Sequence, residues 1–353
     1  MRFASDGKTL GGNKRPAEVR VAFTGALRPA LFDNARSRTR ALIAVHSTIL
    51  LLTFMPLAPS LPSASAQEVT ADLLDQLKRA QKLLLGQRPC GGKIDAKAES
   101  WRALTNGLEA RVLHVRPAGA NARVDIHLIR IDPKAISIRV LMSRAFGREG
   151  ATAEDFAELS GALAVTNAGY YDKDLNPLGL LVVAGKRKNR RISRRGRQSY
   201  ALYEGVFLVK GGRPVIQRNE DYQPVGEELA VQAGPLLIAE GRPASPLRGL
   251  RHANRLDGRT VLSLDGRGRI VLWVTASPLA GMNWCELRDL MLRYEEWEKG
   301  PSSAESDRKG ILWALNLDGG TSAQLFVRED SQGTSLKVRG TAVPVALGFF
   351  PRN

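Results

Sequence analysis

The chain has 353 residues, of which 43% are hydrophobic and 25% charged, so it is long enough for a sizeable core and is not a low-complexity chain. Its formal net charge of +17 favours an anionic partner, such as a phosphorylated substrate or an acidic polysaccharide, unless the charge only reflects solvated basic surfaces. Net charge is the only feature that favours a nucleic-acid partner, and because no aromatic-basic interleaving or known motif supports it, we expect none.

Residues 1–66 are predicted to be a secretory signal peptide with an extended basic N-terminus. Three arginines precede a short apolar run over residues 41–55, and an A-x-A cleavage site, Ala64-Ser65-Ala66, comes before Gln67. The run is short for a membrane span. We therefore expect a periplasmic or secreted protein with no stable membrane span after cleavage; an uncleaved anchor is the alternative.

Residues 67–100 are predicted to form an N-terminal helix and a linker. Leucines spaced between charges predict an amphipathic helix over Thr70–Leu85, and residues 87–97 have the Gly-rich, charged composition of a linker. The two cysteines, Cys90 and Cys285, pair if the protein is exported, or else are one buried and one exposed thiol. Their spacing does not suggest zinc.

Residues 101–353 are predicted to form one α+β domain, with a mixed, largely antiparallel sheet and a few packed helices. Alternation of apolar and polar residues predicts half-buried strands over 110–115, 122–131 and 136–142. Two helices are predicted at 150–159 and 282–297, each with a capping-box pattern at its start. Further strands are predicted over residues 163–167, 179–184, 200–209, 230–232, 236–239, 260–264, 269–275, 311–317, 323–327 and 343–350.

Three of these apolar strands end in a polar side chain followed by small residues. They run into Asn167-Ala168-Gly169, Gln232-Ala233-Gly234 and Asp318-Gly319-Gly320. Glycines at such positions permit positive φ and let a ligand approach the backbone closely. We therefore expect the three strand ends to converge on one pocket.

Residues 186–197 contain a dense run of Lys and Arg. Such a run is usually a solvated loop. The sharper hypothesis is a basic rim over the site that attracts an anionic substrate.

Five segments, taken in order, resemble the phosphodiester glycosidase family, which includes the lysosomal uncovering enzyme and many bacterial exported proteins often linked to exopolysaccharide. The segments are Thr166–Lys186, Tyr203–Pro214, Val231–Pro243, Gly258–Val274 and Ala314–Leu325. The resemblance implies hydrolysis of the bond between a sugar anomeric carbon and a phosphodiester. It also implies a glycan or sugar-phosphate partner.

The family's motifs carry over to a set of substrate-binding candidates: Asn167, Gly169, Tyr170, Gln232, Gly234, Arg259, Gly319, Gly320 and Ser322. One position departs from the family pattern, because this chain has Glu204 where many members have Asn before Gly-Val-Phe. The additional carboxylate puts the specific reaction in question.

Glycoside cleavage passes through an oxocarbenium-like transition state that is usually flanked by two carboxyl groups. We predict Asp318 as the nucleophile or general base, with Glu204 and Asp172 as candidates for the second carboxyl group. A phosphate leaving group is a weak base that needs charge stabilisation more than protonation, and Arg259 is the candidate for that role.

Each of these assignments has a structural alternative. Asp318 would cap a strand and turn, Arg259 would be a solvated surface group, Asn167 and Gln232 would satisfy local backbone, and Tyr170 would be a core residue.

We predict no cofactor, because no HExxH motif or Cys/His cluster is present, although a weakly bound divalent cation near Asp318 is compatible with the pattern. The leading hypothesis is an exported glycosidase acting on a sugar-1-phosphodiester or a phosphate-bearing envelope or exopolysaccharide glycan. The alternative is a non-catalytic protein of the cell envelope that binds acidic polysaccharide.

Overall fold

Three antiparallel sheets surround one shared apolar core. The largest has nine strands in the order β1-β3-β4-β15-β14-β16-β12-β13, with β2 paired to β3. These strands are β1 (Ile94–Ala98), β2 (Arg102–Thr105), β3 (Leu108–Pro117), β4 (Val124–Ile131), β12 (Leu236–Ala239), β13 (Arg242–Pro243), β14 (Thr260–Asp265), β15 (Ile270–Thr275) and β16 (Ile311–Asn316).

The other two sheets have five strands each. The second sheet, in the order β10-β9-β11-β7-β8, consists of β7 (Leu181–Val183), β8 (Lys186–Asn189), β9 (Gly205–Lys210), β10 (Arg213–Arg218) and β11 (Leu229–Ala233). The third, in the order β18-β17-β6-β19-β5, consists of β5 (Ile136–Met142), β6 (Ala164–Asn167), β17 (Leu325–Val327), β18 (Leu336–Val338) and β19 (Val345–Pro351).

The computed structural model describes residues 90–117, 120, 123–193, 198–244, 247, 250, 253–275, 281–298, 310–328 and 335–352. The predicted signal peptide, the predicted helix Thr70–Leu85 and the end of the basic run, 194–197, lie outside these residues. None of the described helices is both long and apolar enough to cross a bilayer.

Many strands are apolar throughout because successive side chains point to opposite faces of a sheet and both faces are covered. Ile270, Leu272 and Val274 of β15 point into the shared core, whereas Val271 and Trp273 point to the opposite face of the sheet. Because the strands are covered on both faces, they are nearly continuous apolar runs.

Each sheet has a different cover on its outer face. Helices α2 (Trp284–Leu292) and α3 (Tyr294–Glu298) pack on the nine-stranded sheet, and α1 (Ala153–Ser160) packs on the third sheet. The outer face of the second sheet forms a small cluster of six buried residues that includes Tyr222, with no helix in it among the described residues.

The α+β prediction is confirmed, and so are both capping boxes. Thr152 and Asp155 cap α1 reciprocally, and Asn283 and Glu286 cap α2. The helix predicted over 282–297 is two shorter helices, with Arg293 at the break between them.

Two loop predictions are wrong. Strand β1 lies within the stretch expected to be a linker, and β8 lies within the stretch expected to be a basic loop. Both are strands at the edge of a sheet that bury few side chains, with Ile94 alone buried in β1 and none in β8, so polar composition conceals them.

Candidate active site

Two Asp-Gly turns face each other at one edge of the paired strands β14 and β16. Asp257-Gly258-Arg259 precedes β14, and Asp318-Gly319-Gly320 follows β16; because the strands are antiparallel, these ends are neighbours. The Gly320 N–H donates to the Gly258 carbonyl at 2.8 Å. A side-chain carbon added at Gly258 would lie 2.5 Å from the Gly320 carbonyl oxygen. Glycine is therefore required for the two turns to approach this closely.

Asp318 lies at the centre of this arrangement. Its Oδ1 accepts a hydrogen bond from the Gly319 N–H at 2.9 Å, and its carboxylate also accepts one from the Ser322 hydroxyl. Burial, together with the negative charge of Asp257, raises the pKa of Asp318 to about 6 despite these two bonds. At neutral pH the carboxylate is ionised but unusually basic for an aspartate.

Arg259 is held rigidly beside Asp318. Its Nε donates to the Met282 carbonyl at 2.8 Å, and its Nη2 donates to the Arg255 carbonyl at 2.7 Å. The guanidinium also lies over the Trp284 ring, 5.0 Å from its centroid. Burial lowers the pKa of Arg259, but an arginine remains charged.

The third nitrogen of the Arg259 guanidinium, Nη1, is not bonded to the described part of the protein. Among the described residues, Nη1 of Arg259 makes no hydrogen bond, and a side-chain carbon at Gly319 would lie 3.8 Å from it. The surface alternative for Arg259 does not hold, because the residue is only 5% exposed.

Asp257 is a buried carboxylate that the sequence analysis missed. It forms an ion pair with Arg255 at 2.7 Å, and a side-chain carbon at Gly320 would lie 3.5 Å from its Oδ1. Its charge acts on both Asp318 and Arg259. The signal for it was present, because the Asp-Gly pair before Arg259 repeats the Asp-Gly pair at Asp318.

Tyrosines line the neighbouring part of the site. The Tyr170 hydroxyl donates to the Gly234 carbonyl at 2.6 Å, and the Tyr170 and Tyr203 rings meet edge to face, with centroids 5.9 Å apart. Burial and the nearby Asp318 charge raise the pKa of both phenols. Tyr171 shares a hydrogen bond with the Ser322 hydroxyl at 3.0 Å.

Asn167 holds Asp318 in place through the backbone. Its Nδ2 donates to the Asp318 carbonyl at 2.8 Å, while its Oδ1 accepts from the Thr260 hydroxyl at 2.8 Å and from the Gln324 N–H at 3.2 Å. Asn167 was predicted to bind substrate, but these hydrogen bonds favour a role in orienting Asp318.

The side-chain amide of Gln232 also bonds to the protein, and all of its hydrogen bonds go to backbone groups. Its Oε1 accepts from the N–H groups of Leu180 and Ile192, and its Nε2 donates to the carbonyls of Ile192 and Tyr203, all at 2.9–3.0 Å. The side chain is fully buried. Gln232 therefore shapes the loops beside the site and presents no group to a substrate.

The two candidates for a second carboxyl group lie in different surroundings. Asp172 accepts hydrogen bonds from the N–H groups of Asp174 and Asn176, both at 2.9 Å, and the bonds from Asn176 lower its pKa. It therefore closes its own turn and is poorly suited to be a proton donor. Glu204 accepts from the Leu236 N–H at 3.3 Å, next to the Gly234-Pro235 segment.

The family-pattern glycines serve close packing. A side-chain carbon at Gly234 would lie 2.2 Å from the Ala201 carbonyl oxygen, and one at Gly169 would lie 3.0 Å from the Gln232 carbonyl oxygen. Gly320 has φ of +63°, a conformation that favours glycine. These positions are fixed by the fold around the site, whatever the ligand.

Within the described ranges, no group of three or more His, Cys, Asp or Glu side chains is arranged to hold a metal ion. The absence of a dedicated cofactor therefore stays a prediction.

A family model described as NAGPA, phosphodiester glycosidase, matches residues 160–350. No curated protein matches the chain at a significant level.

Among solved structures, the chain is similar to the catalytic domain of zebrafish N-acetylglucosamine-1-phosphodiester alpha-N-acetylglucosaminidase, auto-inhibited by its pro-peptide. The TM-score is 0.51 at 17% identity, with 73% of this chain and 88% of that chain covered. It is also similar to a hypothetical protein from Synechocystis, with a TM-score of 0.47 at 18% identity and coverage of 75% and 69%. A protein from Burkholderia pseudomallei has a TM-score of 0.49 at 12% identity, with coverage of 75% and 100%.

Proposed function

We propose, from the premise that this chain belongs to the phosphodiester glycosidase family, that it hydrolyses the bond between a sugar anomeric carbon and a phosphodiester. The observation that carries the proposal is the pairing of a basic carboxylate, Asp318, with a preorganised guanidinium, Arg259, at the two facing turns. This reaction requires a carboxylate near the anomeric carbon of the sugar and a cation near the phosphate, and the pair supplies both.

Asp318 acts at the anomeric carbon. With a pKa of about 6 it is ionised at neutral pH, yet it is a stronger base than an ordinary aspartate. It attacks the anomeric carbon directly as a nucleophile, or it removes a proton from the attacking water. The anomeric configuration of the first sugar product distinguishes the two, because direct attack retains the configuration and base-activated water inverts it.

Arg259 stabilises the departing phosphate. Because Nε and Nη2 are fixed by two carbonyl oxygens, the direction of the free Nη1 is set before the substrate arrives. A preorganised donor of this kind stabilises charge that develops in the transition state, with little reorganisation. Asp257, rather than Glu204 or Asp172, is the second carboxyl group of the site. Its charge makes Asp318 more basic, and it forms an ion pair with Arg255.

The substrate that we propose is a sugar-1-phosphodiester or a phosphate-bearing envelope or exopolysaccharide glycan, met in the periplasm or outside the cell. Support comes from the net charge of +17 and the signal-peptide pattern in residues 1–66. It also comes from the Cys90–Cys285 disulfide, a bond that persists in oxidising compartments. N-terminal sequencing of the protein from a cell-envelope fraction tests export, and a mature terminus far from Gln67 would refute the proposed cleavage site.

The reaction is tested with a chromogenic phosphodiester of N-acetylglucosamine 1-phosphate. Asp318→Asn keeps the size of the side chain but removes the base, and we expect kcat to fall by about 10³-fold or more. Asp95→Asn is the matched control, because Asp95 is an exposed aspartate on β1 that pairs with Lys93. Its rate should equal that of the unmodified protein.

The phosphate role is tested with Arg259→Lys. Lysine keeps the charge but loses the planar fork, so we expect kcat/KM to fall about 10²-fold, whereas Arg123→Lys on the surface should change nothing. If the unmodified protein and Asp318→Asn bind a glycan equally and neither turns it over, the proposed reaction is wrong and the protein is a binding module.

A further inference from the structure

The outer face of the second sheet carries a cleft of about 480 Å³. Its floor is Leu180 and Val182 of the β7 region, one side is formed by β8, and the other side is formed by residues 222–227. Where the other two sheets are covered by helices, the described cover here is this loop with Tyr222, and Leu180 and Val182 beneath it are buried.

Two guanidinium groups face this cleft from the same edge of the sheet. Arg187 is exposed and, within the described ranges, makes no hydrogen bond or ion pair. Arg191 is held in place because its Nη1 donates to the carbonyls of Asn219 at 3.0 Å and Tyr222 at 2.8 Å. Neither has a carboxylate partner among the described residues. Arg191 also lies over the Tyr222 ring, 5.7 Å from its centroid, so Arg187 is the guanidinium better placed to donate to an anion.

Glu227 is the one carboxylate among the described residues that line the cleft, and it is already bonded. It accepts a hydrogen bond from the Tyr222 hydroxyl and another from the Val225 N–H at 2.9 Å, and the residue is only 5% exposed. Its carboxylate is thus bonded to groups of the protein, whereas Arg187 is exposed.

The rim of the cleft has room for a broad ligand. A side-chain carbon added at Gly185 or at Gly226 would have no other atom within 4 Å. An open rim and two guanidinium groups without a described carboxylate partner fit a broad ligand with a negative group, such as an anionic pyranose.

We propose that this cleft is a second subsite that binds an anionic sugar unit, with a carboxylate or phosphate substituent, belonging to the glycan that is cleaved at Asp318. The identity of the shared glycan rests on the proposed function; the binding of an anionic sugar does not. A physical link joins the two sites, because the Gln232 amide bonds to Leu180 in the cleft floor, to Ile192 next to Arg191, and to Tyr203 beside Tyr170.

The test measures calorimetric binding to the full chain carrying Asp318→Asn, so that no ligand is consumed. The ligands are a hexamer of galacturonic acid, a neutral glucose hexamer of the same length, and inorganic phosphate. We expect the galacturonate hexamer or phosphate to bind, and Arg187→Gln to weaken that binding about tenfold, because one charge-assisted hydrogen bond is lost. The two anionic arms distinguish a carboxylate substituent from a phosphate substituent.

Lys188→Gln is the matched control. It removes one positive charge from the neighbouring position of β8 but does not line the cleft. We expect its affinity to change less than about twofold. Equal weakening by both variants would mean diffuse attraction to a basic surface and would overturn the subsite, as would equal binding of the neutral hexamer or no binding of either anion.

This result is separable from the reaction itself. Arg187→Gln should leave kcat/KM for the small chromogenic phosphodiester unchanged, because the residues lining the cleft include neither Asp318 nor Arg259. Loss of binding with normal turnover would overturn the subsite alone, and absence of turnover with normal binding would overturn the proposed reaction alone.

Discussion

Asp318 should destabilise the folded protein at neutral pH, and Asp318→Asn should relieve that cost. The pKa of its carboxyl is raised from 3.8 to about 6 on folding, so the native state holds a proton more tightly than the unfolded state does. Between those two pH values the stability of the native protein falls as pH rises. The shift corresponds to about 3 kcal/mol at most, and partial exposure of the carboxylate reduces it.

The expected result is a stability difference that depends on pH. At pH 3 both proteins carry a neutral group, whereas at pH 7.5 only the aspartate must ionise in a buried place. We compare the free energy of unfolding of Asp318→Asn with that of the unmodified protein. The difference should favour the variant by about 1–3 kcal/mol more at pH 7.5 than at pH 3, although the variant loses activity.

The measurement is the free energy of unfolding from urea titrations of both proteins at a series of pH values from 3 to 8. Asp95→Asn provides the control, because its side chain lies on the surface. A difference between the two proteins that stays constant across this range would refute the reasoning, because it would show that Asp318 is not desolvated on folding.

Three further predictions concern the stability of the fold. Gln232→Leu removes four hydrogen bonds to backbone and should lower the free energy of unfolding by about 3 kcal/mol, measured by urea titration; a loss below 1 kcal/mol would contradict the structure. The Cys90–Cys285 bond joins positions 195 residues apart, so reductant should destabilise the unmodified protein by about 2–4 kcal/mol and leave Cys90→Ser unaffected. The Asp125 and Glu99 carboxylates raise the pKa of His114, so its stabilising effect is complete below the ordinary value of 6.5 and is lost as pH rises through the folded value. His114→Gln should therefore be less stable than the unmodified protein at pH 5, and this difference should shrink by pH 9.

Buried strands could be predicted from the sequence because their signal is local. Ile136–Met142 was predicted with its observed bounds, and the hairpin of β14 and β15 was within one residue of them. By contrast, β8 is a row of exposed basic residues, and only its hydrogen bonds to β7 make it a strand. Composition carries no record of that pairing.

The candidate site, too, could be predicted from the sequence only in part. Asp318 and Arg259 could be selected from their motifs, but motifs do not say which polar groups the protein uses on itself. Gln232 carries a family motif, yet its four hydrogen bonds all go to backbone from segments far apart in sequence. The repeated Asp-Gly pair could have pointed to Asp257, but the contact between Gly258 and Gly320 that brings it to the site is made only in the folded chain.

The single amide of Asn167 joins the third sheet, in which it ends β6, to Thr260 of the first sheet and to the turn that bears Asp318. The turn that bears the carboxylate proposed to react is thus held by two sheets at once, and we expect its position to depend on their contact. Heating should consequently abolish turnover and tertiary structure in one transition, and a partly unfolded but still active species should not accumulate.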